Sequence, residues 1–378
     1  MAFLNPVYTT HQKFSQYFSS MKDPRRTGKG NHLYPLEEIL FLCISAVISG
    51  MDDWTSITMF GRLKLEWLRQ YLPYKHGVPS HDVLGKVFAA LDSNEFSKCF
   101  SAWVNSIAEL TGGQVVAVDG KTLRGSEDKS ASKSALHVVS AYATGNRLCL
   151  GQEVVSEKSN EITAIPVLLK MLDIKGCTVT IDAMGCQKQI AEAIINQDAD
   201  YVLMVKDNQP GLKEQIQKVF SLNQNKAESD QTVDFGHGRI EKRTCVTTSE
   251  LTFLDGVQEW KGLNSIVKVI SERTDKRSGK QSVETRYYIS SLAAEPVVIN
   301  KAVRSHWGIE NNLHWSLDVL FKEDDSLKKK GNSAVNYHII AKMALAFLQR
   351  ETESKSTKPQ KRIRAALDDE FRSRILAG

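Results

Sequence analysis

"QVVAVDGKTL", Gln114 to Leu123, is an apolar run interrupted by a single carboxylate, Asp119. Val115, Val116, Ala117 and Val118 follow one another without alternation. Such a strand must be covered on both faces, as in the middle of a sheet flanked by helices. That reading sets the class as α/β, and the segments on either side agree with it. Downstream, "ALHVVSAYAT" and "RLCLGQEVVSE" flank Gly145-Asn146, a hairpin signal. "TAIPVLLKML" then predicts a helix, "CTVTIDAMG" a strand closing at Asp182, and "CQKQIAEAIINQ" an amphipathic helix. "DYVLMVKDN" reads as a strand and "PGLKEQIQKVF" as a helix with Pro210 near its start. Three strands, helix, strand, helix, strand, helix describe a mixed sheet with a meander first and crossovers after it.

Outside this core the patterning changes. Residues 1–110 read as all-helical, with "LYPLEEILFLCISAVISG" stopping at Gly50 and "PSHDVLGKVFAALD" opening on a cap signal. Short helices at this spacing suit a DNA-reading helix-turn-helix or a plain packing domain equally. Residues 223–296 are β-rich and separated by polar loops. A helix opens near Pro296–Asn300, and a second, "NSAVNYHIIAKMALAFLQRE", follows it. The expected organisation is a helical domain over 1–110 and a core over 111–222 with 297–350. An insertion over 223–296 and a basic tail over 351–378 complete it.

Composition limits the class further. The 378 residues are 42% hydrophobic and 25% charged, the balance of a soluble globular chain. The longest apolar run, Ile39–Ile48, is too short to span a bilayer. "MAFLNPVYTTHQ" lacks the basic-then-apolar pattern of a signal peptide, so a cytoplasmic protein and no membrane partner are expected. Six cysteines without a CxxC pair read as buried thiols, not a zinc or disulfide framework. From Lys328 to Arg374, 12 Lys and Arg stand against 5 Asp and Glu, which exceeds the whole-chain charge of +5. That stretch suits a polyanion partner. It suits a solvated tail as well.

Two carboxylates, Asp119 and Asp182, each close an apolar strand. Alone, each would be a chain-turning Asp. In one α/β sheet, strand ends are where functional groups gather, and two such carboxylates repel unless a cation lies between them. A third lies in "HWGIENNLHWSLD", His306 to Asp318. At 100° per residue, His306, Ile309, Glu310, Leu313, Leu317, Leu320 and Phe321 share one side. A Glu in that stripe requires a cation, an Arg or a proton. Arg304 is one candidate partner, and a metal shared with the aspartates is another. Trp315 and Val319 fall opposite, so the following helix is expected to cover them.

"VAVDGKTLRGS", "TIDAMGCQKQIA", "YVLMVKDNQ", "GHGRIEKR", "RYYISSL" and "RSHWGIENNLHWSLDVLFKEDDS" occur in this order. Together they resemble the H-repeat-associated insertion-sequence transposases of bacteria, a branch of the DDE superfamily with a ribonuclease H-like core. The resemblance covers nearly the whole chain. It implies a DDE transposase that cleaves and transfers DNA strands at element ends. Asp119, Asp182 and Glu310 are its acidic triad, and two Mg²⁺ ions, with Mn²⁺ able to substitute, are its cofactor. Double-stranded DNA is the implied partner, with a homodimer or larger assembly formed on it. The wider group carries an Arg four residues before the Glu and a Lys seven after; here those places hold His306 and Leu317. This departure puts a hairpin-ended cutting route in question. Arg304, His306 and His314 are candidate phosphate contacts in its place. Lys121, Arg124, Lys206, Asn208, Gln209, His237, Arg239 and Arg243 are further candidates for holding DNA, with solvated surface charge as the alternative for each. A non-mobile nuclease on the same core, or a catalytically silent DNA-binding remnant, remains open at this point.

Overall fold

The structure, a computed structural model, describes residues 14–25, 33–108, 110, 112–128, 133–155, 160–222, 227–236 and 238–377. Its centre is the meander β1 (Val115–Leu123), β2 (Leu136–Ala143) and β3 (Leu148–Val155). β4 (Thr178–Ile181) and β5 (Asp200–Val205) add to the other side of β1, both parallel to it. The resulting order 3-2-1-4-5 is the ribonuclease H-like arrangement. The apolar run Val115–Val118 is fully buried because β1 has neighbours on both edges and helices on both faces.

The β-rich insertion does not form a sheet of its own. β6 (Glu228–Gly236), β7 (Arg239–Thr248), β8 (Ser265–Asp275) and β9 (Gln281–Ser290) form an antiparallel run. β9 pairs antiparallel with β5, from Val202↔Ser290 to Val205↔Tyr287, so one nine-stranded sheet runs 3-2-1-4-5-9-8-7-6. The helix Pro296–His306 returns across this junction and packs on β1, β4, β6 and β7. The insertion therefore delivers the Glu310 segment to the ends of the central strands.

The helical part is built around two helices with little exposed surface. Leu36–Ile48 is buried on nearly every face, the behaviour of a helix apolar all round. Its one buried carboxylate, Glu38, accepts the Tyr74 backbone N–H at 2.7 Å. Ser333–Arg350 packs against Leu36–Ile48, His81–Ala90, Ser93–Ile107 and β3 at once, which fastens the helical body to the sheet. Its entry is tight: Gly331 has φ +52°, and a Cβ there would collide with the Ala89 carbonyl oxygen. Gly331→Ala is expected to cost about 2–3 kcal/mol from overpacking and left-handed strain together. Urea unfolding checks it.

Two expectations are corrected. The basic C-terminal tail is folded into the helices Lys358–Leu367 and Asp369–Ala377. Three of its seven Lys and Arg are used inside the fold: Arg372 is fully buried over the Trp67 ring, Lys361 pairs with Glu351, and Arg362 pairs with Asp52. Part of the tail's charge is thus structural. Trp315 and Val319 are not covered by the following helix; they remain 56% and 52% exposed, because that helix turns away to fill the helical body. The cysteines behave as expected, with five of the six buried and Cys99 partly so. Among the described residues no helix is long and apolar enough to cross a membrane.

Candidate active site

Asp119 is not at the end of its strand. β1 continues to Leu123 in its pairing with β2, whereas its parallel pairing with β4 stops at Val118↔Ile181. The next residues on the two strands are Asp119 and Asp182, so the parallel ladder leaves both carboxylates at one level. Asp182 also caps a short turn, accepting the Met184 N–H at 3.0 Å. Asn208 and Gln209, considered for phosphate contact, donate instead to the carbonyls of Ala183 (2.5 Å) and Cys186 (3.0 Å). They hold the Asp182 loop in place.

Glu310 reaches the site by a device that a 100° spacing misses. Ile309–His314 is a π-helical segment between the helices Pro296–His306 and Trp315–Phe321. A π turn holds an extra residue, so the helical wheel slips there, and such bulges cluster at functional sites. Ile309, Leu313, Leu317, Leu320 and Phe321 stay buried, but Glu310 rotates out of the stripe to an exposed position where it feels the charge of Asp182. The reading of Glu310 as a charge trapped in a buried stripe is therefore corrected.

The carboxylates feel one another. Burial, followed by the charges of Asp182 and Glu310, pushes the Asp119 carboxyl up to about 7. Asp182 is raised by burial and then by Glu161. Glu310 is raised by burial, with Arg286 pulling it down and Asp182 pushing it up. Glu161 is thus a fourth acidic neighbour that the sequence reading did not name. It opens the helix Glu161–Lys170 and hydrogen-bonds His137 Nε2 at 2.5 Å. The signal for it was an Asn-Glu helix start facing the strand ends, which is common to many helices.

The two histidines are structural neighbours of the carboxylates. His306 Nδ1 lies 3.0 Å from Thr180 Oγ1 on β4, and burial brings its pKa down to about 4. His314 Nδ1 is 3.6 Å from Asp119, with its pKa lowered to about 3 by burial and nearby lysines. Both are neutral at pH 7, so neither offers a cation to a phosphate. Lys121 is likewise engaged elsewhere: it is half-buried between Asp318 and Glu323, the latter at 2.8 Å. Arg243 is 5% exposed and pairs with Glu241 at 2.6 Å. Arg124 and Lys206 remain exposed, and Lys206 is close enough to Asp182 to lower its pKa. His237 lies outside the described residues.

Beside Glu310 the inserted strands build a pocket of about 240 Å³ whose walls include Arg239, Arg243, Arg273, Arg286 and Arg304. Arg304 is 3.5 Å from Asp234, and Glu310 forms no ion pair with it. Arg286 stacks over Trp307 at 5.1 Å and is held by Glu284 through two hydrogen bonds of 2.8 and 2.9 Å. Its guanidinium is the cation that acts on Glu310. It comes from "RYYISSL", a motif with no role assigned from sequence.

Among the described residues no three His, Cys, Asp or Glu side chains already converge into a metal cage. The donor chemistry nonetheless fits a hard divalent cation. Asp119, Asp182 and Glu310 offer only oxygens, all three are raised by burial, and none of them is ion-paired with a Lys or Arg among the described residues.

Comparison with known proteins bears on this arrangement. Residues 110–347 match the family described as "Transposase DDE domain", and residues 15–104 match the one described as "DDE_Tnp_1-associated". "Putative transposase YncI" of Escherichia coli O157:H7 is 41% identical over 371 residues, covering 97% of this chain and 95% of that protein. "H repeat-associated putative transposase YhhI" of Escherichia coli K12 is 40% identical over 375 residues, covering 97% and 98%. Among solved structures, a piggyBac transposase synaptic complex with hairpin DNA aligns with TM-score 0.49 and 12% identity, over 99% of this chain and 82% of that one.

Proposed function

The chain belongs to the family of DDE-domain transposases, and from that premise we propose that it cleaves DNA strands at the ends of a mobile element and joins them to target DNA. Asp119, Asp182 and Glu310 are the catalytic residues and the ligands of Mg²⁺, for which Mn²⁺ can substitute. The observation that carries this reading is the parallel β1–β4 ladder, which ends at Val118↔Ile181 and so leaves Asp119 and Asp182 side by side, with the Asp119 carboxyl raised by burial and by the charges of Asp182 and Glu310. The charges of Asp182 and Glu310 raise Asp119, and that of Asp182 raises Glu310, a repulsion that a bound cation would relieve. Bound there, Mg²⁺ supplies Lewis-acid stabilisation of phosphoryl transfer and lowers the pKa of its water.

The chain's own side chains shape the rest. His314, with its pKa lowered by burial, stands 3.6 Å from Asp119 and does not offset its charge. His306 and Thr180 tie the Pro296–His306 helix to β4, so Glu310 is held relative to Asp182. Arg286, beside Glu310, is placed to meet a DNA phosphate in the region where the wider group uses an Arg on the helix itself. Double-stranded DNA is the substrate, and the working form is a dimer or larger assembly on paired ends.

The test is metal removal. Purified protein is incubated with a plasmid carrying the coding region and its flanks. Mg²⁺ is expected to yield both cleaved and joined products, and excess chelator neither. Cleavage that persists in chelator sinks the metal reading. Metal-dependent cleavage with no joined product assigns the chain to the nuclease alternative.

A further inference from the structure

A groove of about 1200 Å³ opens on the other side of Arg304 from the arginine pocket. Arg304, Trp307 and Asn311 line both, so the groove starts beside Glu310 and leads away from it. Its floor is the start of β1 and β4, at Val115 and Thr178, and one wall is the Pro296–His306 helix. The other wall is the turn between β2 and β3, and the C-terminal end of Ser333–Arg350 closes it.

The charge of this groove is one-sided. Arg147, Lys301, Arg304 and Arg350 line it, and no Asp or Glu does among the described residues. Arg147, Lys301 and Arg304 are exposed and Arg350 is half-buried. Among the described residues, Arg304 alone of the four forms an ion pair, with Asp234 at 3.5 Å. Arg147 also sits close enough to Lys358 to add to the burial that pushes the lysine's pKa down, so cations crowd at that end. The buried cations Lys361, Arg362 and Arg372 are paired inside the fold, whereas Arg147 and Lys301 stand outside it. Like charges gathered without counter-ions repel, and a polyanion relieves them by displacing condensed counter-ions.

We propose that this groove is a second binding track for DNA, which holds the sugar-phosphate backbone independently of sequence as the duplex leaves the carboxylate site. The proposal rests on the reading that the chain acts on DNA. It does not depend on the assignment of the metal ligands. An acidic protein segment is the competing occupant. An extended polyanion such as DNA is favoured, because the cations come from three separate elements along a channel that is continuous with the Glu310 pocket.

The experiment measures binding in chelator, where no cleavage chemistry intervenes. Fluorescence anisotropy of a labelled 30-base-pair random-sequence duplex is followed against salt for the full chain and for the triple variant Arg147→Gln, Lys301→Gln, Arg350→Gln. The slope of log affinity against log salt is expected to flatten by about 2–3, near 0.9 for each phosphate no longer neutralised. Poly-glutamate is the second probe and is expected to bind more weakly, with a smaller drop in the variant. An unchanged DNA slope in a variant that unfolds at the same temperature overturns the proposal. So does a poly-glutamate affinity that equals that of DNA and falls as far. An Asp119→Asn protein run in parallel separates the two readings. It keeps the DNA slope if the groove is right, whatever it does to cleavage.

Discussion

Asp119→Asn yields a protein that folds, binds DNA and no longer cuts it. The exchange is nearly isosteric, and it removes one of the three oxygen donors proposed to hold the cation. Cleavage is expected to fall by about 10³-fold or more, since Lewis-acid stabilisation is worth several kcal/mol and each 1.36 kcal/mol is tenfold. Glu310→Gln is expected to do the same. A stability measurement distinguishes this outcome from general damage. The Asp119 pKa is raised from its ordinary 3.8 to about 7, so the folded chain holds a proton there that the unfolded chain gives up. Native stability therefore declines as pH rises from 3.8 through 7, because a buried, repelled charge forms. In chelator at pH 8, Asp119→Asn should accordingly unfold at a higher temperature than the wild type, and the difference should vanish near pH 4. Cleavage within tenfold of wild type in either variant removes that residue from the proposed site.

The parts of this molecule that could be read from sequence are those where local pattern and global fold ask for the same thing. Val115–Val118 is apolar without alternation because β1 is central, and the sequence of strands and helices after it follows from period alone. The placement of β9 was not legible. Gln281–Ser290 reads as one more β segment, and only tertiary pairing with β5 turns the insertion into an extension of the core sheet. Glu310 stands out in the sequence for a reason that the structure revises. A uniform 100° wheel puts it in the buried stripe, but the π segment Ile309–His314 moves it out toward the aspartates. The cations show the limit most clearly. Lys121, Arg124, Arg243 and Arg304 look alike in a sequence, yet Arg243 is a buried ion pair, Lys121 a half-buried one, and the other two are exposed. Burial is decided by which carboxylate the fold brings near, and Glu323 is some two hundred residues from Lys121.

That pairing carries the second large expectation. Lys121 lies two residues beyond Asp119 on the same face of β1, and Glu323 follows directly on the helix that contains the Glu310 segment. Their ion pair at 2.8 Å, with His338 hydrogen-bonded to Glu323 from the Ser333–Arg350 helix, clamps β1, the Glu310 segment and the helical body at one buried point. Lys121→Met should cost about 3–5 kcal/mol, because it strands Glu323 and Asp318 without their cation. Acid should act on the same clamp. His338 is held down to about 4, chiefly by burial, so the unfolded chain takes up a proton first and stability falls as pH drops from 6.5 through 4. Burial pushes Glu323 up, but His338 and Lys121 outweigh it and hold the carboxyl at about 2, so its contribution is lost as pH drops from 4.5 through 2. Both slopes have the same sign and oppose that of Asp119, so in an Asp119→Asn background urea midpoints should decline below pH 6.5, and Glu323→Gln should flatten the part below 4.5. A Lys121→Met loss under 1 kcal/mol would mean that water reaches this cluster. In that case the Glu310 segment must be held by its buried residues Leu313 and Leu317 and by the His306–Thr180 hydrogen bond.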